Sequence, residues 1–360
     1  MSQTVYRQLA QRLDAIPNGF SPTESGVELR LLEKIFTEPE AELASVMRLS
    51  MEPAADIAAR ANRNPDETLQ TLKGMARKGQ IRAKKRGDDW RFGLMPFVVG
   101  IYEEQLPRMD EELASLFEQY YQEARGGGII GQTPSVHRVI PIEEAVPFDL
   151  EIFPYEHATN LLESAKSWGV RNCICRVQRK LSGHGCDHPT ENCLVFAPVE
   201  HAFDGSEINR PISKAEALRI LDEAKEAGLV HSTGNYRDHL NYICNCCTCS
   251  CGIMRGVSEF GIATAVARSN FWAVVDEDIC SGCEDCVERC QFDAISVPDG
   301  VAVVDYTRCV GCGQCATVCA TESLHLERRL EGDVPQPPQN IKNWMLERAE
   351  ERNISIFDVL

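Results

Sequence analysis

Long apolar runs are missing from this 360-residue chain, and no stretch approaches the length of a membrane span. The N-terminus, Met1-Ser2-Gln3-Thr4, lacks a basic region followed by an apolar stretch. No secretory signal is therefore expected, and the chain is assigned to the cytoplasm with no membrane span. Nucleotide motifs are missing too. There is no Gly-x4-Gly-Lys-Ser/Thr run, and no Gly-x-Gly-x-x-Gly follows a strand. Gly126-Gly127-Gly128 follows a helical segment and reads as a linker, so no flavin or nicotinamide site is expected. Positive charge is scarce: 37 Lys and Arg stand against 54 Asp and Glu, a net charge of −17. That balance disfavours non-specific affinity for nucleic acid or anionic lipid and suits docking with basic faces of redox partners. It reverses locally, because residues 73–91 hold eight basic residues and two acids.

Cysteine, by contrast, is abundant, with 17 in the chain. Clustered cysteines without a signal argue for metal ligation in a reducing compartment rather than for disulfides. Cys280, Cys283, Cys286 and Cys290 read Cys-x2-Cys-x2-Cys-x3-Cys, and Cys309, Cys312, Cys315 and Cys319 repeat it 29 residues later. The repeat reaches upstream, since Ala273-Val274-Val275-Asp276 is matched by Ala302-Val303-Val304-Asp305. Runs this tight wrap iron–sulfur cubes. Two zinc sites are the alternative, but structural zinc pairs two knuckles across a longer gap.

These runs resemble bacterial two-cluster ferredoxins. The resemblance implies two [4Fe-4S] clusters with crossed ligation, one on Cys280, Cys283, Cys286 and Cys319, the other on Cys309, Cys312, Cys315 and Cys290. Gly282, Gly311 and Gly313 lie between ligands, where a missing side chain lets backbone N–H groups reach sulfur. The chain departs from that family where proline would follow each fourth cysteine, with Gln291 and Ala320 standing there. Proline is not a ligand, so the departure touches local rigidity and hence potential.

Nine further cysteines form two groups: Cys173, Cys175, Cys186 and Cys193, then Cys244, Cys246, Cys247, Cys249 and Cys251. Both Cys173-Ile174-Cys175-Arg176 and the run from Tyr242 read as strand-like approaches. In an extended chain Cys247, Cys249 and Cys251 would share one face, with Cys244 and Cys246 opposite. A third [4Fe-4S] cluster is expected here, with zinc as the alternative because His184 and His188 flank Cys186. Arg176, Arg179 and Lys180 would offset thiolate charge.

The expected fold is α+β and multi-domain. Residues 1–95 hold a helical module, 96–150 a long helix (97–124), the Gly linker and an extended arm. Residues 151–270 form a cysteine-rich middle domain and 271–330 a ferredoxin-like domain. Residues 331–360 hold a Pro linker and a last helix through Ile341, Trp344, Met345 and Arg348. In the first module, helices near Val27–Ile35, 53–61 and 64–79 precede a hairpin that turns at Gly87-Asp88-Asp89. Three helices and a hairpin resemble a winged-helix module, in which Lys73, Arg77, Lys78, Arg82, Lys84, Lys85 and Arg86 would meet phosphate. A helix is also expected over 155–168, closed by Gly169, and another from Ser213 to Gly228.

The arrangement resembles multi-domain ferredoxin-type proteins of anaerobic microbes. It implies an electron-transfer component or subunit of an oxidoreductase serving a redox partner or small substrate. A redox-sensing DNA-binding regulator is the alternative, and a terminal reductase with an open iron position is a third.

Overall fold

Helical periodicity governs the first 77 residues. The computed structural model, which describes residues 2–126 and 129–358, places helices at Ser2–Asp14, Val27–Ile35, Glu38–Val46, Ala54–Ala61 and Pro65–Arg77. Val27, Leu31 and Leu32 are fully buried, as their spacing predicts. Helix Glu38–Val46 was not expected. Its signal is a cap rather than a stripe: the Glu40 carboxylate accepts the Thr37 N–H at 3.0 Å, and Pro39 sits in the first turn. Asn64 caps the next helix but one, accepting from the Asp66 and Glu67 N–H groups at 2.9 and 3.2 Å. Strands Ile81–Arg86 and Asp89–Leu94 then pair around Gly87-Asp88, and the short strand Glu52–Pro53 adds to the second of them. The result is a three-stranded antiparallel sheet.

The expected helix over 97–124 is broken. Val99 has φ 49° and Gly100 an extended φ of 175°, a short turn follows at Leu106–Arg108, and helix Glu111–Ala124 restarts where Asp110 accepts the Leu113 N–H at 2.8 Å. Its apolar period nevertheless does its packing, since Tyr102 and Phe117 stack with ring centroids 3.8 Å apart. Gly127 and Gly128 of the expected linker lie outside the described residues.

Two units divide the chain. One comprises Met1–Gln132, Val177–His184 and Met345–Leu360; the other comprises Thr133–Arg176 and Gly185–Trp344. The second is built on a seven-stranded sheet in the order Val266–Ala267, His137–Val139, Val230–Gly234, Tyr242–Cys246, Glu191–Ala197, Ser167–Asn172, Arg210–Ile212. The first pair is parallel and the rest are antiparallel. Helix Lys214–Glu226, whose N-cap Ser213 accepts the Glu216 N–H at 3.1 Å, packs Ala217, Ile220 and Leu221 against Val170, Leu194 and Ile243.

Two expectations fail here for one reason, which is that sheet pairing is non-local. The arm over 136–150 was expected to lie against another surface, whereas its His137–Val139 stretch is an interior strand of the sheet. Residues 155–168 are not one helix. Helix Ala158–Glu163 ends early and Trp168 and Gly169 belong to strand Ser167–Asn172. Gly169 is no helix stop; a Cβ there would press on the Phe203 ring at 3.1 Å. Arg138, 1% exposed, meets fully buried Glu156 at 2.6 Å, and the Glu156 carboxylate also accepts from Asn270 Nδ2 at 2.8 Å. This charge pair fastens the arm strand to the segment that leads into the ferredoxin-like residues.

Those residues explain the 29-residue repeat. Strand Phe271–Val275, which precedes the first run, pairs with Leu324–Arg328, which follows the second. Ile295–Ser296, after the first run, pairs with Val303–Val304, before the second. Each half thus lends a strand to the other. The last helix, Ile341–Glu351, packs on the chain itself. Trp344 Nε1 donates to Ser135 O at 2.9 Å, and fully buried Arg348 donates to the Pro17, Ile129 and Gln132 carbonyls. Among the described residues no helix is long and apolar enough to cross a membrane.

Candidate metal centres

The tandem runs assemble two sets of four sulfurs. Cys280, Cys283, Cys286 and Cys319 line one small pocket that opens to solvent, together with Ala302, Ser323 and Leu324. Cys286 is raised above its ordinary value first by burial, then by Cys283, Cys280 and Cys319 around it. In the other set, burial pushes Cys312 up to about 12, and neighbouring Cys290 and Cys309 add to it. Each set therefore contains the fourth cysteine of the opposite run. Backbone donors converge on the sulfurs: the Ala302 N–H reaches Cys280 and the Ala294 N–H reaches Cys290, both at 3.4 Å. Ser323 Oγ lies 3.2 Å from the Cys319 sulfur. Such donors offset thiolate charge.

Two of the glycines do more than admit N–H groups. Gly282 and Gly311 have φ of 66° and 73°, and a Cβ would collide with the carbonyl oxygens of Gly300 and Phe271. Gln291, at the departure from the ferredoxin pattern, is a tether. Its Oε1 accepts the Thr248 N–H at 2.8 Å, and its Nε2 donates to Gly228 O. The residue where proline was expected thus fixes the turn between Cys247 and Cys249.

In the middle region the strand alternation lapses at both ends. Strand Ser167–Asn172 stops before Cys173, and helix Ile174–Leu181 begins after it. Strand Tyr242–Cys246 likewise stops before Cys247, which opens a turn to Cys251, the N-cap of helix Gly252–Ser258. Cys251 therefore groups with Cys244 and Cys246, not with Cys247 and Cys249. Six thiols close a ring: Cys173 contacts Cys175 and Cys193, Cys175 contacts Cys251, Cys251 contacts Cys246, and Cys246 contacts Cys244, which returns to Cys193. Two of them are held well below the ordinary thiol value. Cys173 accepts from Cys175 and Cys193, aided by Arg176; Cys251 accepts from Cys175 and Cys246, aided by the Met254 N–H. Both precede a helix and receive the N–H three residues on. Cys175 and Cys193 are driven well above it, chiefly by bonding to the Cys173 sulfur.

The remaining three cysteines form a separate group. Cys186, Cys247, Cys249 and His188 place their ligand atoms within 4.8 Å of one another. Burial first, then Arg176, lowers the His188 value, which favours the neutral ring. His184 is exposed and takes no part. Of the three cations expected beside the thiols only Arg176 is there. It is 3% exposed and donates to Asn192 Oδ1, Pro189 O and Asn245 O, each at 3.0 Å. Arg179 pairs instead with Glu118 at 2.8 Å and Lys180 is exposed, because the helix carries both a turn onward.

The donor sets suit the expected groups: thiolates alone around two sulfur-lined sites, with N–H and hydroxyl donors behind them. Residues 273–327 match the family model of the 4Fe-4S dicluster domain. The chain is thus an iron–sulfur protein, and that domain gives it an electron-transfer role consistent with a redox partner. No curated protein and no solved structure matches it.

Proposed function

We propose that this protein is an electron-transfer component of anaerobic metabolism, holding three [4Fe-4S] clusters and serving a redox partner or oxidoreductase complex. The ligands are Cys280, Cys283, Cys286 and Cys319 for the first and Cys309, Cys312, Cys315 and Cys290 for the second. Four of Cys173, Cys175, Cys193, Cys244, Cys246 and Cys251 serve the third. A bound cluster of this kind takes up and releases single electrons. The chain's own residues supply thiolates, aim backbone N–H groups at sulfur, and bring buried Arg176 beside the ring. The observation that carries the reading is the closed ring of six thiols in the same unit as the matched dicluster domain.

The first module is read as winged-helix-like, on the order helix, strand, two helices and hairpin around a three-stranded sheet. It serves docking rather than sequence reading. Arg82 is turned onto the carbonyls of Leu49 and Leu94, Lys78 pairs with Glu40 at 2.7 Å, and Lys73 lies over the Trp90 ring. Exposed Lys84 and Lys85 stay on the hairpin. The helix that would enter a groove presents Asp66, Glu67 and Gln70 to solvent, a poor set for base edges.

Electron paramagnetic resonance of the reduced, anaerobically purified full chain tests the assignment. Replacing Cys173, Cys175 and Cys251 together by Ser leaves only three of the six thiols, and should remove one signal and about four irons while the two ferredoxin-type signals stay in place. Unchanged iron and unchanged spectra would remove the third cluster from the account.

A further inference from the structure

We propose that Cys186, His188, Cys247 and Cys249 bind a single zinc ion, distinct from the clusters. The spacing carries this. Cys186 Sγ lies 4.0 Å from Cys247 Sγ, Cys249 Sγ lies 3.9 Å from His188 Nδ1, and all four ligand atoms fall within 4.8 Å of one another. A tetrahedral ion with metal–sulfur bonds of about 2.3 Å and metal–nitrogen bonds of about 2.0 Å sets its ligands roughly 3.5–3.8 Å apart. The two pairs at 4.0 and 3.9 Å need to close by only a few tenths of an ångström, and no pair in the group by more than about 1 Å. A four-iron cube places each thiolate on a different iron and holds its ligands much further apart. Neither the six-thiol ring nor the two ferredoxin sets closes this tightly among the described residues.

Chemistry points the same way. Three thiolates and one neutral imidazole make a closed Cys3His set, the composition of structural zinc with no position left for substrate. The surrounding groups fit ligand support. Ser250 Oγ lies 3.4 Å from Cys186 Sγ, and the Arg176 guanidinium hydrogen-bonds Cys247, where its charge offsets the excess thiolate. Arg176 also holds the carbonyl of Pro189, the residue after His188, at 3.0 Å. Gln291 fixes the turn between the other two ligands through the Thr248 N–H.

The position gives the ion a task. Cys186 and His188 sit in a stretch without regular structure, just before strand Glu191–Ala197, which carries Cys193. Cys247 and Cys249 sit between Cys246 and Cys251. Zinc there clamps together two segments that deliver Cys193, Cys246 and Cys251 to the ring.

The test is metal analysis of the full chain purified anaerobically after growth with both iron and zinc, combined with X-ray absorption at the zinc edge. We expect about one zinc per chain, bound by three sulfurs at about 2.3 Å and one nitrogen at about 2.0 Å. His188→Ala and Cys249→Ser should lose most of the zinc while the iron and sulfide of the two ferredoxin-type clusters stay in place. His188→Cys should keep zinc and change its shell to four sulfurs, which guards against loss through misfolding alone. Iron occupying the group in place of zinc, or variants that lose iron and sulfide while zinc stays, would overturn the proposal. A chain with zinc but only two clusters would defeat the third cluster and leave this site standing.

Discussion

Cys290 and Cys319 are the residues on which the ferredoxin-like assignment turns, because each lies in one run and stands among the sulfurs of the other. Cys290→Ser should abolish the same resonance as Cys309→Ser, and Cys319→Ser the same one as Cys283→Ser. Matching losses within each run instead would reject the crossed arrangement. Gly311 gives a sharper stability prediction. With φ 73° and the Phe271 carbonyl in the way of any Cβ, Gly311→Ala should cost at least about 1–3 kcal/mol, read as a lowered anaerobic unfolding midpoint. At this scale the sequence was informative where cysteines are dense and local: the spacing of the tandem runs marked the eight whose sulfurs gather in two sets. It was uninformative about Cys251, because its partners depend on where a strand ends. Arg176 could be placed beside thiols from its position next to Cys175, but Arg179 could not be kept away, since its partner Glu118 is remote in sequence.

Elements were legible in proportion to how local their signals are. The hairpin over Ile81–Leu94 and helix Lys214–Glu226 follow from turn residues and a Ser cap, and both were anticipated. The seven-stranded sheet was not, because His137–Val139 takes both its neighbours from segments more than ninety residues away, and so short a strand has no alternation to reveal it. Its stability rests partly on the buried Arg138–Glu156 pair. Removing one partner leaves an uncompensated buried charge, so Glu156→Gln should cost about 3–5 kcal/mol in anaerobic denaturant unfolding. A change below about 1 kcal/mol would mean that the pair does not fasten the arm.

For the whole molecule, a net charge of −17 opposes approach to DNA, and exposed Lys84 and Lys85 on one hairpin would act only as a local patch for an acidic face of a partner. Anisotropy titrations with genomic duplexes, on oxidised and reduced protein, should show weak, salt-sensitive binding without sequence preference. Tight selective binding that follows cluster state would make the protein a regulator instead. The iron and sulfide content of the chain separates two clusters from three most directly. Quantifying both, per chain, in full-length protein reconstituted and desalted without oxygen should give about twelve of each, four for every cluster. About eight of each, with the ring cysteines still titrating as free thiols, would contradict a three-cluster electron carrier.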